Sequence, residues 1–148
     1  MDVQTATAVT TAAVAVLVAV ITWRQWVTNR ARLKHELFDR RYAIFEKITG
    51  FLAGVLQSGR VASGHEEQFL RDTKQAFFVF DCDPSIKTLV SDIYEHAVHL
   101  HALDAELAGL SGLARSENIQ EQREIKDWYQ TQLGTIESQF ERYLRLGH

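Results

Sequence analysis

The most constraining feature of this chain is an uncharged stretch near its N-terminus. No charged residue occurs from Val3 to Trp23, and residues 12–21 are all Ala, Val, Leu or Ile. A helix rises about 1.5 Å per residue, so this stretch covers a hydrocarbon layer of about 30 Å. We therefore expect one transmembrane helix, with residues 1–27 forming a membrane anchor and its interfacial junction.

The residues that flank this stretch argue against a cleaved signal peptide. Such a peptide carries a basic residue before its apolar core and small residues at a cleavage site after it. Here Asp2 precedes the apolar core, and Trp23, Arg24 and Trp26 follow it. The sequence thus favours a retained anchor. The alternative is a buried helix of a soluble protein, which is disfavoured because residues 12–21 have no polar face.

The basic residues near the anchor predict its orientation. Four of them follow the apolar stretch and none precedes it: Arg24, Arg30, Arg32 and Lys34. Lysine and arginine beside a membrane span stay on the cytoplasmic side, and tryptophan favours the headgroup layer. We therefore assign the inner interface to Trp23, Arg24, Trp26 and Arg30. The N-terminus is expected outside, and the rest of the chain in the cytosol.

Small side chains recur every fourth residue within the anchor. Thr7, Thr11, Ala15 and Ala19 fall on one helix face. Faces of this kind let two helix backbones approach closely in lipid. The spacing predicts a homo-oligomer held through this face, although an alanine-rich helix can produce the same spacing by chance.

The composition of residues 28–148 favours helices. The whole chain has a single proline and eight glycines, and both residues interrupt helices. Apolar residues at three- and four-residue steps predict a first cytosolic helix over 33–55, ending at Gly59. Its Phe38, Tyr42 and Phe45 are expected to pack inward.

Start and stop signals place the remaining helices. Ser63 and Glu66 have the spacing of a capping box, which predicts a second helix that includes the FFVF stretch. Asp83 before Pro84 predicts the start of a third helix, ending near Gly109 or Gly112. Residues 111–118 are expected to form a loop, and a fourth helix follows to the end of the chain.

These elements predict an all-α fold. A single N-terminal transmembrane helix continues into a cytosolic antiparallel bundle of about four helices, which occupies residues 28–148. Four helices that each have one apolar face bury those faces most economically against one shared core.

The stretch LKHELFDRRYAIFEKITGFL, followed near the C-terminus by FERYLRL, resembles a group of small uncharacterised bacterial membrane proteins. Members of that group have one N-terminal transmembrane helix and an LFDxRxxxxE-type helical cytosolic domain. The resemblance implies a single-pass protein of the bacterial inner membrane. It implies no biochemical role, so no functional residue is carried over from the group.

Residues that could perform chemistry are sparse. Asp92, His96 and His99 share a helix face at a spacing that can bind zinc, but two histidines without a third ligand are a weak signal. Cys82 lies between two aspartates, which disfavour its thiolate. We therefore predict no catalytic residue, no cofactor and no metal. The net charge of −3 does not suggest nucleic acid as a partner.

Three functions remain open at this stage. The leading hypothesis is a membrane-anchored, non-enzymatic helical interaction or scaffold module that self-associates and has a protein partner that the sequence does not identify. The second is an oligomeric effector of a defence or toxin system, which perturbs the membrane and carries a cytosolic sensor or assembly bundle. The third is a metal-dependent enzyme built on the histidine face.

Overall fold

The computed structural model describes the backbone of residues 3–145 and the side chains of residues 11–145. These residues contain helices and no strand, which confirms the all-α prediction. The elements are α1 (Val3–Ser58), α2 (His65–Thr73), α3 (Ala76–Val79), α4 (Pro84–Glu106), a 3-10 turn (Leu107–Gly109) and α5 (Gly112–Leu144). The antiparallel bundle order stays a prediction.

The chain divides into two compact units, with the division between Leu37 and Phe38. We call the described residues up to Leu37 the N-terminal unit and those from Phe38 to Arg145 the packed unit. This division is the point after which residues pack against distant parts of the chain. The predicted boundary between residues 27 and 28 is a different one, because it concerns the end of the membrane anchor. The membrane boundary therefore stays a prediction.

The N-terminal unit consists of helix alone, and none of its described side chains is buried. The helical segment Thr11–Ser58 is the one described segment that is long and apolar enough to cross a membrane. Its most apolar stretch has no buried residue. Protein packing therefore does not cover this apolar surface.

The packed unit has one hydrophobic core to which all of its helices contribute. Ile48 and Leu52 of α1, Phe80, Ile93 of α4 and Phe140 of α5 are completely buried. Helix α4 contacts α2, α3 and α5. Aromatic rings join α1 to its neighbours, with Phe51 and Phe69 4.5 Å apart between ring centroids.

Two start signals had different outcomes. The Asp83 prediction is confirmed: its carboxylate accepts a 2.8 Å hydrogen bond from the Ser85 amide, and Pro84 is the first residue of α4. The capping box at Ser63 and Glu66 is wrong. Gly64, at φ 80°, occupies the N-cap position of α2, and no side chain caps this helix.

The loop predicted over 111–118 is also wrong, because α5 begins at Gly112. Ser111 is extended and Gly112 has a φ of 58°, so the chain changes direction at these two residues. Asn118 is buried in α5, where its amide donates a 3.0 Å hydrogen bond to the Leu103 carbonyl of α4. Asn118, which was predicted to lie in a loop, thus forms a hydrogen bond between α4 and α5.

Only the first turns of the inward face of α1 differ from the predicted one. Tyr42 is exposed, Phe38 and Phe45 are only half-buried, and Ile44 is buried instead. Further along, the three- and four-residue steps are confirmed, because Ile48, Leu52 and Val55 are buried. Aromatic and aliphatic residues alternate along this segment, so two neighbouring faces have similar apolar content and the sequence pattern did not separate them.

Tyr129 generates a prediction about alkaline pH. Burial raises the pKa of its phenol above the usual 10.0, and the hydroxyl donates a 2.8 Å hydrogen bond to the Ile93 carbonyl. Above about pH 10 the unfolded chain releases this proton while the folded chain keeps it. The free energy of unfolding should therefore fall as pH rises above 10, by up to about 1.4 kcal/mol per pH unit from this group.

Denaturant unfolding of the full-length protein in detergent micelles, at pH 8 and at pH 11, tests this. Tyr129→Phe should lose about 1 kcal/mol at pH 8 because one hydrogen bond is missing. It should then lose less stability than the wild type between the two pH values. Parallel pH profiles for the two proteins would contradict a raised pKa.

Candidate functional site

The predicted membrane-interface residues are arranged as a mixed aromatic and basic segment of α1. Trp23 is 66% exposed and Trp26 is also exposed. The Arg30 guanidinium lies 5.3 Å from the centroid of the Trp26 ring, a cation–π distance. Arg24 is exposed in the same segment. These side chains present indole and guanidinium groups, which suit the headgroup layer of a bilayer.

The predicted oligomer face lies in the N-terminal part of α1. Ala15 and Ala19 are exposed and one helical turn apart, and Thr11 is exposed on the same side. Thr7 is in α1, but its side chain lies outside the described residues. The described part of the face is therefore accessible to another helix, and whether it binds one stays a prediction.

The histidine face does not assemble as a ligand set. The His96 ring stacks on Trp128 at 4.1 Å between centroids, and its Nδ1 donates a 2.7 Å hydrogen bond to the Asp92 carbonyl. His99 Nε2 lies 3.2 Å from a carboxylate oxygen of Glu121 on α5. Each imidazole thus joins neighbouring residues instead of a common centre. Among the described residues no group of three His, Cys, Asp or Glu side chains is placed to hold a metal.

Arg41 is the residue whose role the sequence did not indicate. Its side chain is only 14% exposed. Its Nε donates a 2.9 Å hydrogen bond to the Val79 carbonyl, and its Nη2 lies 2.8 Å from the Asp81 carboxylate. A longer hydrogen bond, 3.5 Å, reaches the Tyr143 carbonyl. One guanidinium therefore links α1 to the end of α3, to the following turn and to the end of α5.

Asp83 extends the same cluster. Its Oδ2 accepts a 2.6 Å hydrogen bond from the Tyr143 hydroxyl and pairs with the Arg142 guanidinium. The two residues before Asp83, Asp81 and Cys82, have positive φ angles of 55° and 57°. Cys82 is exposed and is the single cysteine of the chain. The turn thus points its acidic groups at α1 and α5.

This polar cluster is structural in character, because its groups bind one another. Arginine spacing could not have revealed it: Arg40 and Arg41 are adjacent, and only the helix rotation decides which one is covered. The one available signal was Asp83, which the proline after it marked as a cap.

The sequence also did not predict a second polar pair, which His101 and Glu66 form. The imidazole Nδ1 of His101 on α4 lies 3.6 Å from a carboxylate oxygen of Glu66 on α2. Both side chains are partly buried, and this Nδ1 has no hydrogen-bond partner. The pair adds a polar contact to the α2–α4 interface, and within the described part of the chain no third group of the kind that a metal requires joins it.

Comparisons of the chain with protein-family models, with curated proteins and with solved structures find no match.

Substituting Arg41 tests the cluster. Arg41→Met keeps the apolar stem and removes the guanidinium, so the Val79 carbonyl and the Asp81 carboxylate each lose a donor. We expect the free energy of unfolding of the full-length protein to fall by about 1–3 kcal/mol. Arg40→Met is the matched control: it removes an exposed guanidinium one position earlier and should change stability by less than about 0.5 kcal/mol. Equal losses in the two variants would contradict the linking role of Arg41.

Proposed function

We propose that this protein is a membrane-anchored, non-enzymatic helical interaction module that self-associates. It crosses the bacterial inner membrane once, with its N-terminus outside and the packed unit in the cytosol. The bilayer and further copies of the chain are its partners, and the packed unit offers surfaces for a protein partner.

One observation carries the proposal: the exposed apolar surface of the N-terminal unit. Its members are large hydrophobic residues at least 47% exposed: Val14, Val16, Leu17, Val18, Val20, Ile21, Trp23, Trp26 and Val27. Contiguous apolar patches of this kind on a water-soluble monomer are rare and mark a surface that lipid or protein covers. Since the helix satisfies its own backbone hydrogen bonds, lipid can cover it on every side.

Interfacial and basic residues support the proposed orientation. Trp23 and Trp26 follow the apolar residues directly, and the first basic residue of the chain is Arg24. The cation–π contact between Arg30 and Trp26 keeps a positive charge beside the indole. Basic residues at one end only are typical of the cytoplasmic side of a span.

Exposed apolar residues on the packed unit support an interaction role there. Phe78 is 74% exposed and Leu113 is 75% exposed. Leu70 and Ile119 are also exposed. Exposed apolar side chains of this size supply contact area that a partner can cover favourably.

The single exposed Cys82 provides a direct test of the orientation. In intact bacteria a maleimide that cannot cross the inner membrane should leave Cys82 unlabelled, and it should label Cys82 once the membrane is permeabilised. The matched control is Asp2→Cys in a Cys82→Ser background, which should be labelled in intact cells. Labelling of Cys82 in intact cells would contradict the cytosolic placement.

Self-association through the anchor has its own test. Ala15→Leu with Ala19→Leu keeps the segment apolar and able to insert, but prevents close backbone approach. We expect chemical cross-linking between copies in native membranes to weaken, while the protein stays membrane-bound after alkaline extraction.

A control for that test comes from the opposite side of the same helix. At about 100° per residue, Ala13 and Val20 face away from Ala15 and Ala19. Ala13→Leu with Val20→Leu also adds apolar bulk, less at residue 20 because valine is already large, and should leave cross-linking unchanged. If the Ala15 and Ala19 variant cross-links as strongly as this control, the small-residue face plays no part in assembly.

A further inference from the structure

A solvent-open cavity of about 490 Å³ lies between α2, α3 and α4. Its walls are mainly apolar, with Leu70 from α2, Phe77 from α3, and Val90 and Tyr94 from α4. Its size falls within the range of about 300–1,000 Å³ that is common for binding pockets. The cavity can therefore accept an apolar side chain.

The rim of this cavity is basic. Arg71, Lys74 and Lys87 line it, and no carboxylate does. Arg71 is partly neutralised, because its Nη1 lies 3.6 Å from a carboxylate oxygen of Glu67. Lys87 lies over the Phe77 ring at 5.6 Å, and within the described residues neither Lys74 nor Lys87 has a carboxylate at salt-bridge distance. The rim thus carries positive charge that the packed unit does not compensate.

The N-terminal half of α5 has the opposite character. A shallow acidic cleft there is lined by Glu117, Glu121 and Glu124, with Ser116 and Gln120 between them. Glu121 pairs with His99, and Glu124 accepts a 3.0 Å hydrogen bond from Gln120. Glu117 has no cation at salt-bridge distance within the described residues.

Leu113 lies on the same face of α5 as this cleft. It precedes Glu117 by four residues and Gln120 by seven, which are neighbouring positions on a helix. At 75% it is the most exposed large hydrophobic residue of the packed unit. An exposed leucine followed by glutamates matches an apolar cavity with a basic rim.

We infer that the N-terminal half of α5 in one copy of the chain docks in the α2–α4 cavity of the next copy. Leu113 enters the cavity, and Glu117 and Glu124 face Lys74 and Lys87 across the contact. This is the helix-in-groove mode of recognition. The inference deepens the self-association proposed above and rests on it, adding a second, cytosolic contact.

The two surfaces are different patches of one molecule, so the contact is heterologous. A heterologous contact leaves each copy with one cavity and one acidic face still available to further copies. It therefore builds a ring or an open array instead of stopping at a dimer.

Charge reversal in two separate variants tests the contact. Variant one carries Lys74→Glu and Lys87→Glu and has an acidic rim. Variant two carries Glu117→Lys and Glu124→Lys and has a basic α5 face. Each is made as the full-length protein with two different affinity tags, and co-purification of the tags from membranes solubilised in mild detergent is measured.

With Ala15→Leu and Ala19→Leu also present, so that the anchor face does not hold copies together, we expect each variant to co-purify with itself about tenfold less than the anchor variant alone does, because both surfaces then carry the same sign of charge. Variant one mixed with variant two in this background should recover the yield of the anchor variant alone, since each mixed contact again joins opposite charges. Recovery by mixing also shows that both variants are folded.

Three other outcomes would overturn the inference. If variant one in the Ala15→Leu and Ala19→Leu background co-purifies with itself as well as the anchor variant alone does, the cavity is not the contact. If variant one is weakened and variant two is not, the cavity takes another anionic partner, such as an acidic headgroup or a different protein. If both variants are weakened and mixing does not restore the yield, the charges do not face one another.

The anchor variant separates this inference from the anchor-mediated assembly. With Ala15→Leu and Ala19→Leu added to both charge variants, the mixed pair should still exceed either variant alone. If the mixed pair co-purifies no better than either variant alone, the cytosolic contact does not form without the anchor face. That result would overturn the cavity as an independent contact. Persistence of the difference, even where the anchor test fails, supports the cavity contact alone.

Discussion

A single carboxylate, that of Asp83, sets the position of the central helix of the packed unit. One of its oxygens accepts the Ser85 amide and begins α4, while the other binds Tyr143 and Arg142 of α5. Because α4 contacts α2, α3 and α5, the position of its first turn affects its contacts with these three helices. Arg41 then fixes α1 to the same turn through Asp81 and the Val79 carbonyl. Charge-assisted hydrogen bonds of this kind are directional. They therefore fix the positions of the helices along one another, which non-directional hydrophobic contact does not do.

The two units of the chain meet opposite physical requirements. The packed unit excludes water from Ile48, Leu52 and Phe140 by burying them against other side chains. The N-terminal unit buries none of its described residues, and in the proposed arrangement lipid covers its apolar surface. In lipid the hydrophobic effect no longer drives helices together, and association depends on close packing or polar contact. For this reason the proposed contact between anchors relies on small residues, and the proposed contact between packed units relies on charged ones.

The sequence predicted those features that one local interaction decides. Asp83 and Pro84 marked a helix start correctly, because the cap is formed by residues two apart in the chain. Features decided by distant residues were missed: Asn118 lies in a helix because Leu103 offers a carbonyl to it, and Arg41 is covered because Val79 and Tyr143 lie against α1. The Leu113 and Glu117 face was missed for a different reason. It was read as part of a loop, and residues in a loop have no common face.

A membrane anchor changes what a heterologous contact can produce. Copies that share one topology in one bilayer keep the same end toward the membrane, so rotation between neighbours is restricted to axes near the membrane normal. Under that restriction a cavity-to-helix contact that repeats can close only as a ring around such an axis, or extend as an array along the membrane. Tethering also raises the effective concentration of one cavity near the next acidic face, so a contact too weak to hold free domains together can operate between anchored ones. The modest size of the cavity and the solvent exposure of its charged rim are therefore compatible with an assembly that forms on the membrane and not in solution.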